Sequence, residues 1–123
     1  MTGILGDPLL PWLRSAMDLS YQRQGLLNTN LANADTPGYV PRDLEFNDYL
    51  TQMLQSQSEG MPAGAEPTVE DRPGPETGFD GNQVNLDDEM MKMAANKLLY
   101  ELVSQVSHRK MALIRYAIDE GGR

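Results

Sequence analysis

The chain has no cysteine and a single histidine in 123 residues. The first absence excludes disulfides, thiol catalysis and thiolate metal ligation. The second leaves general acid–base chemistry almost without its commonest carrier. Aromatic residues are scarce at 7%, which favours helix-on-helix packing over an aromatic core. No apolar run reaches the ~20 residues of a transmembrane helix. The start, Met1-Thr2-Gly3-Ile4-Leu5-Gly6-Asp7-Pro8, lacks a basic stretch before an apolar one, so no cleaved Sec-type signal is expected. Basic stripes interleaved with aromatics are missing, and with them the footprint of a nucleic-acid binder. Gly-rich phosphate loops, HExxH and GxSxG are absent too. The sequence therefore predicts no enzyme, no cofactor, no metal, no nucleic-acid partner and no small-molecule substrate.

What is present is unevenly distributed. The net charge is −8, from 10 basic and 18 acidic residues. Residues 47–89 hold ten of the acidic residues against one arginine, whereas residues 90–123 are mildly basic. The acid thus lies in the middle of the chain. His108 sits in the polar run Ser107-His108-Arg109-Lys110 without a positioned partner and reads as a surface residue. Asp80-Gly81-Asn82 resembles part of a calcium loop. Alignment on Gly81 puts Gly78 at a ligand position and leaves the bidentate glutamate missing. A tight turn is the better reading. Met90, Met91 and Met93 read as adaptable packing residues.

The apolar spacing predicts two long helices. In the first, Leu9/Leu10, Trp12/Leu13, Ala16/Met17, Leu19, Leu26/Leu27 and Leu31 recur at helical intervals. Pro8 and Pro11 suit its start, the residues before them reading as a loose terminus. Pro37 forces an end by about Ala34. In the second, Asn85 is the expected cap, with Asp87, Asp88 and Glu89 in the first turn where the helix dipole favours negative charge. A near-heptad seam then follows along Ala95, Leu99, Leu102, Val106, Leu113 and Tyr116, interrupted at Arg109. The helix is expected to run to about Asp119.

Between the helices the pattern changes. Thr36-Pro37-Gly38-Tyr39 has proline and glycine where a type II turn requires them. Val40, Arg42, Leu44 and Phe46 then alternate with Pro41, Asp43 and Glu45, an extended arm that Pro41 confines to a sheet edge. Asn47 is expected to cap a short helix built on Tyr49/Leu50 and Met53/Leu54. Residues 56–82 are rich in glycine and proline and predict a flexible loop, with short β pieces at Thr68-Val69 and Gln83-Val84. The fold expected is mainly α: long terminal helices paired as a coiled-coil-like hairpin, with a short β or irregular middle. Residues 1–34 are expected to carry one terminal helix, 35–85 the middle, and 86–123 the other helix.

Asn28, Asn30 and Asn33 crowd the end of the first helix. Asparagine is a poor helix former whose amide readily bonds backbone groups. These side chains either cap the helix locally or lock one chain to the next. Both readings stay open on the residues alone.

Asn30-Leu31-Ala32-Asn33-Ala34-Asp35-Thr36-Pro37-Gly38-Tyr39 resembles the N-terminal signature of bacterial flagellar rod and hook proteins, the axial proteins of the flagellum. Val40-Pro41-Arg42-Asp43-Leu44-Glu45-Phe46 extends the match. Asp80-Gly81-Asn82-Gln83-Val84-Asn85-Leu86-Asp87-Asp88-Glu89-Met90 and Asn96-Lys97-Leu98-Leu99-Tyr100 resemble the second block of the family. The resemblance implies a structural subunit of the proximal rod of the basal body. It implies passage through the flagellar type III export apparatus without a cleaved signal, with the terminal helices completing their order on assembly. Implied partners are further copies, other rod proteins and that apparatus. The assembly hinge would comprise Asn30, Asn33, Asp35, Thr36, Pro37, Gly38, Tyr39, Arg42 and Asp43. Helix packing would fall to Leu13, Met17, Leu27, Leu31, Leu99, Leu102, Val106 and Leu113. The competing class is a soluble coiled-coil adaptor or export chaperone, which uses the same stripes but has no need of the hinge.

Overall fold

The apolar spacing of the first stretch becomes helix α1, Leu9–Ala32, in the computed structural model, which describes residues 9–55, 66–74 and 80–121. Strand β1, Arg42–Leu44, follows, then helix α2, Phe46–Gln55, strand β2, Val69–Asp71, and helix α3, Leu86–Gly121. With 24 and 36 residues, α1 and α3 are roughly 36 and 54 Å long at 1.5 Å per residue. They pack against each other as an antiparallel hairpin. Asn30 meets Glu89, Ser20 and Gln24 meet Asn96, and Met17 meets Ser107, so the order of contacts reverses along the pair.

Asn85 caps α3 as expected. Its Oδ1 accepts the Asp88 amide at 3.2 Å and its carbonyl accepts that of Glu89 at 3.0 Å. The short helix differs from expectation. It begins at Phe46, and the Glu45 carbonyl takes the Tyr49 amide. Asn47 therefore lies inside the first turn and is not the cap.

The two strands pair antiparallel, with Arg42 opposite Asp71, Asp43 opposite Glu70 and Leu44 opposite Val69. The β piece expected at Thr68-Val69 is thus β2, shifted slightly forward. Gln83-Val84 is not a strand, although the Gln83 amide donates to the Tyr39 carbonyl at 3.0 Å. The expected alternation along the arm also fails locally, because Asp43 and Leu44 are both buried. The flexible-loop reading of 56–82 falls largely outside the described residues, as do the terminus before residue 9, Met61, Gly78 and Phe79. Gly74 lies where a Cβ would stand 2.4 Å from the Gln83 carbonyl oxygen, so the two segments approach closely only because that atom is missing.

The core is small and lies toward the N-terminal half of α1. Leu13, Ala16 and Leu19 of α1 close on Leu44, Phe46, Leu50 and Val103, with Trp12, Met17, Leu26, Tyr49 and Leu99 packed around them. Burying a side chain of this size contributes about 1.5–3 kcal/mol. The Trp12 Nε1–H donates to the Leu50 carbonyl at 3.3 Å and ties α2 to α1.

The seam that joins α3 to α1 is not the predicted one. The buried residues of α3 are Glu89, Asn96, Val103 and Ile114. Of the predicted packing residues, Leu13 and Leu27 are buried and Met17, Leu31 and Leu99 are half-buried. Leu102, Val106 and Leu113 are 51%, 45% and 66% exposed. At 100° per residue they fall about a third of a turn away from Glu89, Asn96 and Val103. Periodicity counted the richer apolar stripe, whereas α1 meets the more polar one.

Candidate functional site

The site is built from the C-terminal end of α1 upward. After Ala32 the helix unwinds through Asn33, whose amide N–H reaches the Thr29 carbonyl at 3.1 Å while its Nδ2 donates to the same oxygen at 2.8 Å. Thr36 Oγ1–H donates to Asn33 Oδ1 at 3.0 Å. Asn33 is thus the local cap. The turn follows as the residues dictate. The Tyr39 amide donates to the Thr36 carbonyl at 3.3 Å, and Gly38 takes φ = 70°, the left-handed value that type II turns place at their third residue.

A second glycine turn docks on the first. Gly81 has φ = 71°, and Asp80 Oδ1 accepts the Asn82 amide at 3.1 Å. The Gly38 amide donates to the Asp80 carbonyl at 2.8 Å. Buried Asn82 donates through Nδ2 to the carbonyls of Asn33 and Thr36 at 2.9 and 2.6 Å, and its Oδ1 accepts the Val84 amide. One amide side chain therefore stitches the end of α1, the first turn and the approach to α3.

Asn30 does the same one turn deeper. It is buried, and its amide uses all four of its hydrogen-bonding positions. Nδ2 donates to the Arg42 carbonyl at 2.7 Å and to Glu89 Oε2 at 3.1 Å. Oδ1 accepts the Arg42 amide at 3.0 Å and the Tyr39 hydroxyl at 2.9 Å. An asparagine can do no more than this. The Glu89 carboxylate, buried with it, has the Lys92 ammonium 3.8 Å from its other oxygen.

The arm is held by charge. Arg23 grips Asp43 in a two-pronged contact, Nε to Oδ1 at 2.8 Å and Nη2 to Oδ2 at 2.9 Å, and its guanidinium lies 6.0 Å from the Phe46 ring centroid. Asp43 Oδ1 also accepts the Leu44 amide. A paired, hydrogen-bonded carboxylate is the form in which a charge tolerates burial. Just past the end of β2, Arg72 pairs with Glu45 and lies 3.7 Å from Glu70.

Of the predicted hinge residues, the corner brings Asn30, Asn33, Thr36, Gly38, Tyr39 and Asp43 together. Arg42 contributes its backbone groups while its side chain is exposed, and Asp35 and Pro37 are exposed. Sequence reasoning missed Arg23, Asn82, Glu89 and Asn96. By sequence Glu89 reads as helix-start electrostatics, although it, Asn96 and Val103 are spaced by seven, the interval at which a helix returns to one face. Asn82 was read only as part of a turn. His108 is exposed, its Nδ1 2.7 Å from the Ser104 carbonyl one turn back. Among the described residues no group of three or more His, Asp or Glu is placed to hold a metal ion, and no helix is long and apolar enough to cross a membrane.

A helical hairpin whose connected end is pinned by interlocking amides, with an apolar stripe left outside, defines a class of elongated α-helical proteins built around a fixed corner. No family model matches the chain. It is 34% identical over 117 residues to the flagellar basal body rod protein FlgB of Escherichia coli (strain K12), covering 78% of this chain and 82% of that one. The FlgB of Salmonella typhimurium is also 34% identical over the same shares. The FlgB of Cereibacter sphaeroides is 31% identical over 114 residues, 84% of this chain and 88% of that one. The chain belongs to the FlgB family of flagellar basal body rod proteins.

Proposed function

We propose that the chain is a structural subunit of the proximal rod, reaching it through the flagellar type III export apparatus and polymerising there through its terminal helices. It carries no catalysis, and its partners are further copies of itself and other rod proteins. Residues 1–34 and 86–123 serve as the axial core and 35–85 as the outward middle. Family membership supports the setting. The observation that carries the mechanism is the division of α3 into two stripes. The polar one, Glu89, Asn96 and Val103, is used inside the chain, while the apolar one, including Leu102, Val106 and Leu113, is left exposed. Exposed apolar stripes of this length are partner surfaces. The hinge residues then fix the angle at which that surface is presented.

The test is deletion of the gene followed by electron microscopy of basal bodies. Loss of the rod, restored by the intact gene, is expected; normal rods in the deletion strain refute the assignment. Gly38→Val probes the hinge separately. A β-branched residue at φ = 70° is strained by more than the ~1–2 kcal/mol that left-handed backbone costs an ordinary residue. Rod assembly is expected to fail while the chain is still secreted. Normal motility in that strain would count against the hinge.

A further inference from the structure

Helix α3 carries a seam that no described residue covers. Met91, Ala95, Leu98 and Leu102 stand at intervals of four and three, and the same rhythm continues through Gln105, Arg109, Ala112 and Tyr116. All of them are exposed, Met91 by 71%, Leu98 by 58%, Leu102 by 51% and Tyr116 by 66%. Alternating steps of four and three are the spacing of a coiled-coil seam. At 100° per residue the seam lies roughly 140° round the helix from Glu89, Asn96 and Val103, so α1 leaves room for a further helix beside it. Two polar residues break the apolar layers, both past the middle. Arg109 is the one charge within the seam, and exposed Glu101 stands at its edge. Neither makes an ion pair among the described residues.

The two interruptions decide what fits. A second α3 laid parallel and in register sets Arg109 on Arg109 and Gln105 on Gln105, like against like. Laid antiparallel about a point between Val103 and Ser104, the same helix is complementary. Met91 meets Tyr116 of the second copy, a sulfur against a ring. Ala95 meets Ala112, a small pair that lets the backbones approach. Leu98 covers the stem of Arg109, and Leu102 that of Gln105. The guanidinium then comes within reach of Glu101 of the facing copy, and the two-fold axis makes that pair twice. Asp87 and Glu120, both exposed, oppose each other only at the two ends, in water. We infer that two free copies of the chain pair antiparallel through this seam of α3. The contact is isologous, so it closes as a dimer and does not propagate. It covers Leu102 and its neighbours, the surface proposed above for polymerisation, so the paired chain withholds that surface until the copies part. The pairing itself does not depend on the rod assignment.

Because the chain has no native cysteine, engineered thiols report the geometry directly. Ala95→Cys and Ala112→Cys are made as separate full-length chains, purified and then mixed. In the antiparallel pair Ala95 faces Ala112 of the other copy, whereas like positions are 17 residues apart along the axis, roughly 26 Å. A disulfide needs Cα atoms within about 7 Å. Oxidation is therefore expected to link the mixture and to leave each variant alone unlinked. Disulfides within either variant alone, or none in the mixture, would overturn the inference. Sedimentation equilibrium then tests the register. Arg109→Glu exchanges two attractive contacts for two repulsive ones and is expected to weaken the dimer roughly tenfold, with the circular dichroism spectrum unchanged. Adding Glu101→Arg is expected to restore the dissociation constant of the unaltered chain. Unchanged association in the single variant, or no recovery in the double one, overturns the pairing. A chain that stays monomeric at high concentration sinks the dimer and leaves the rod assignment to the gene deletion.

Discussion

Replacing Asn30 by leucine is expected to open the corner. The amide it removes is the common partner of the Arg42 N–H and C=O, the Tyr39 hydroxyl and Glu89 Oε2. Leucine fills similar space and offers none of those bonds. The Glu89 carboxylate then stays buried with only the Lys92 ammonium nearby, at 3.8 Å. A buried polar group left unpaired costs about 1–3 kcal/mol, and a charged one more. The expected loss of local stability is therefore roughly 3 kcal/mol or more, about a hundredfold in the opening equilibrium. Hydrogen exchange at the Arg42 and Gln83 amides reads it directly, since both are held by the corner. Protection within tenfold of the unaltered chain would refute the role given to Asn30. Asparagine-to-aspartate is expected to fail as well, because a carboxylate cannot donate to both the Arg42 carbonyl and Glu89.

Arg23→Met is the second large effect expected. Methionine keeps an unbranched apolar stem beside Phe46 but strips Asp43 of its two-pronged partner. The Asp43 side chain is only 10% exposed, and it then retains the Leu44 amide alone among these contacts. Removing one member of a buried ion pair costs about 3–5 kcal/mol, and the partial exposure of Arg23 lowers the expectation to roughly 2–4 kcal/mol. The sole tryptophan, Trp12, is bonded to α2 and reports on the same cluster. Its fluorescence midpoint in urea is expected to fall accordingly. A change worth less than about 1 kcal/mol would mean that Asp43 finds water as easily as it finds Arg23. The double variant Arg23→Met with Asp43→Leu is expected to recover much of the loss, because it removes both charges and not one.

These effects concentrate at residues that the sequence marks unequally. Asn30 and Gly38 were legible. An asparagine near the end of a helix and a Pro-Gly turn each carry a local chemical reason, and the neighbours needed to recognise them are adjacent in the chain. Arg23 was not legible, since its partner lies 20 residues away and nothing in the helical stripe distinguishes it from a solvated arginine. Glu89 was read by its nearest context, three acidic residues at a helix start. Asp87 and Asp88 are exposed there, whereas Glu89 turns inward to meet Asn30 from 59 residues away. Asn82 likewise reads as a turn residue by sequence, because the carbonyls it bonds, those of Asn33 and Thr36, lie 49 and 46 residues away.

The sequence by itself determined the long helices, the cap at Asn85, the type II turn and the family, because each rests on neighbouring residues or on a stretch of consecutive ones. It also determined that an apolar stripe runs along α3. Only the tertiary structure decided which stripe α1 covers. Periodicity reports how apolar a face is, not which face its partner meets. Here that choice follows from the Asn30–Glu89 and Ser20–Asn96 contacts, polar pairs that satisfy buried donors and acceptors only when those faces meet. The richer stripe is left exposed, and the corner of amides between residues 28 and 46 holds the two helices together on the other one.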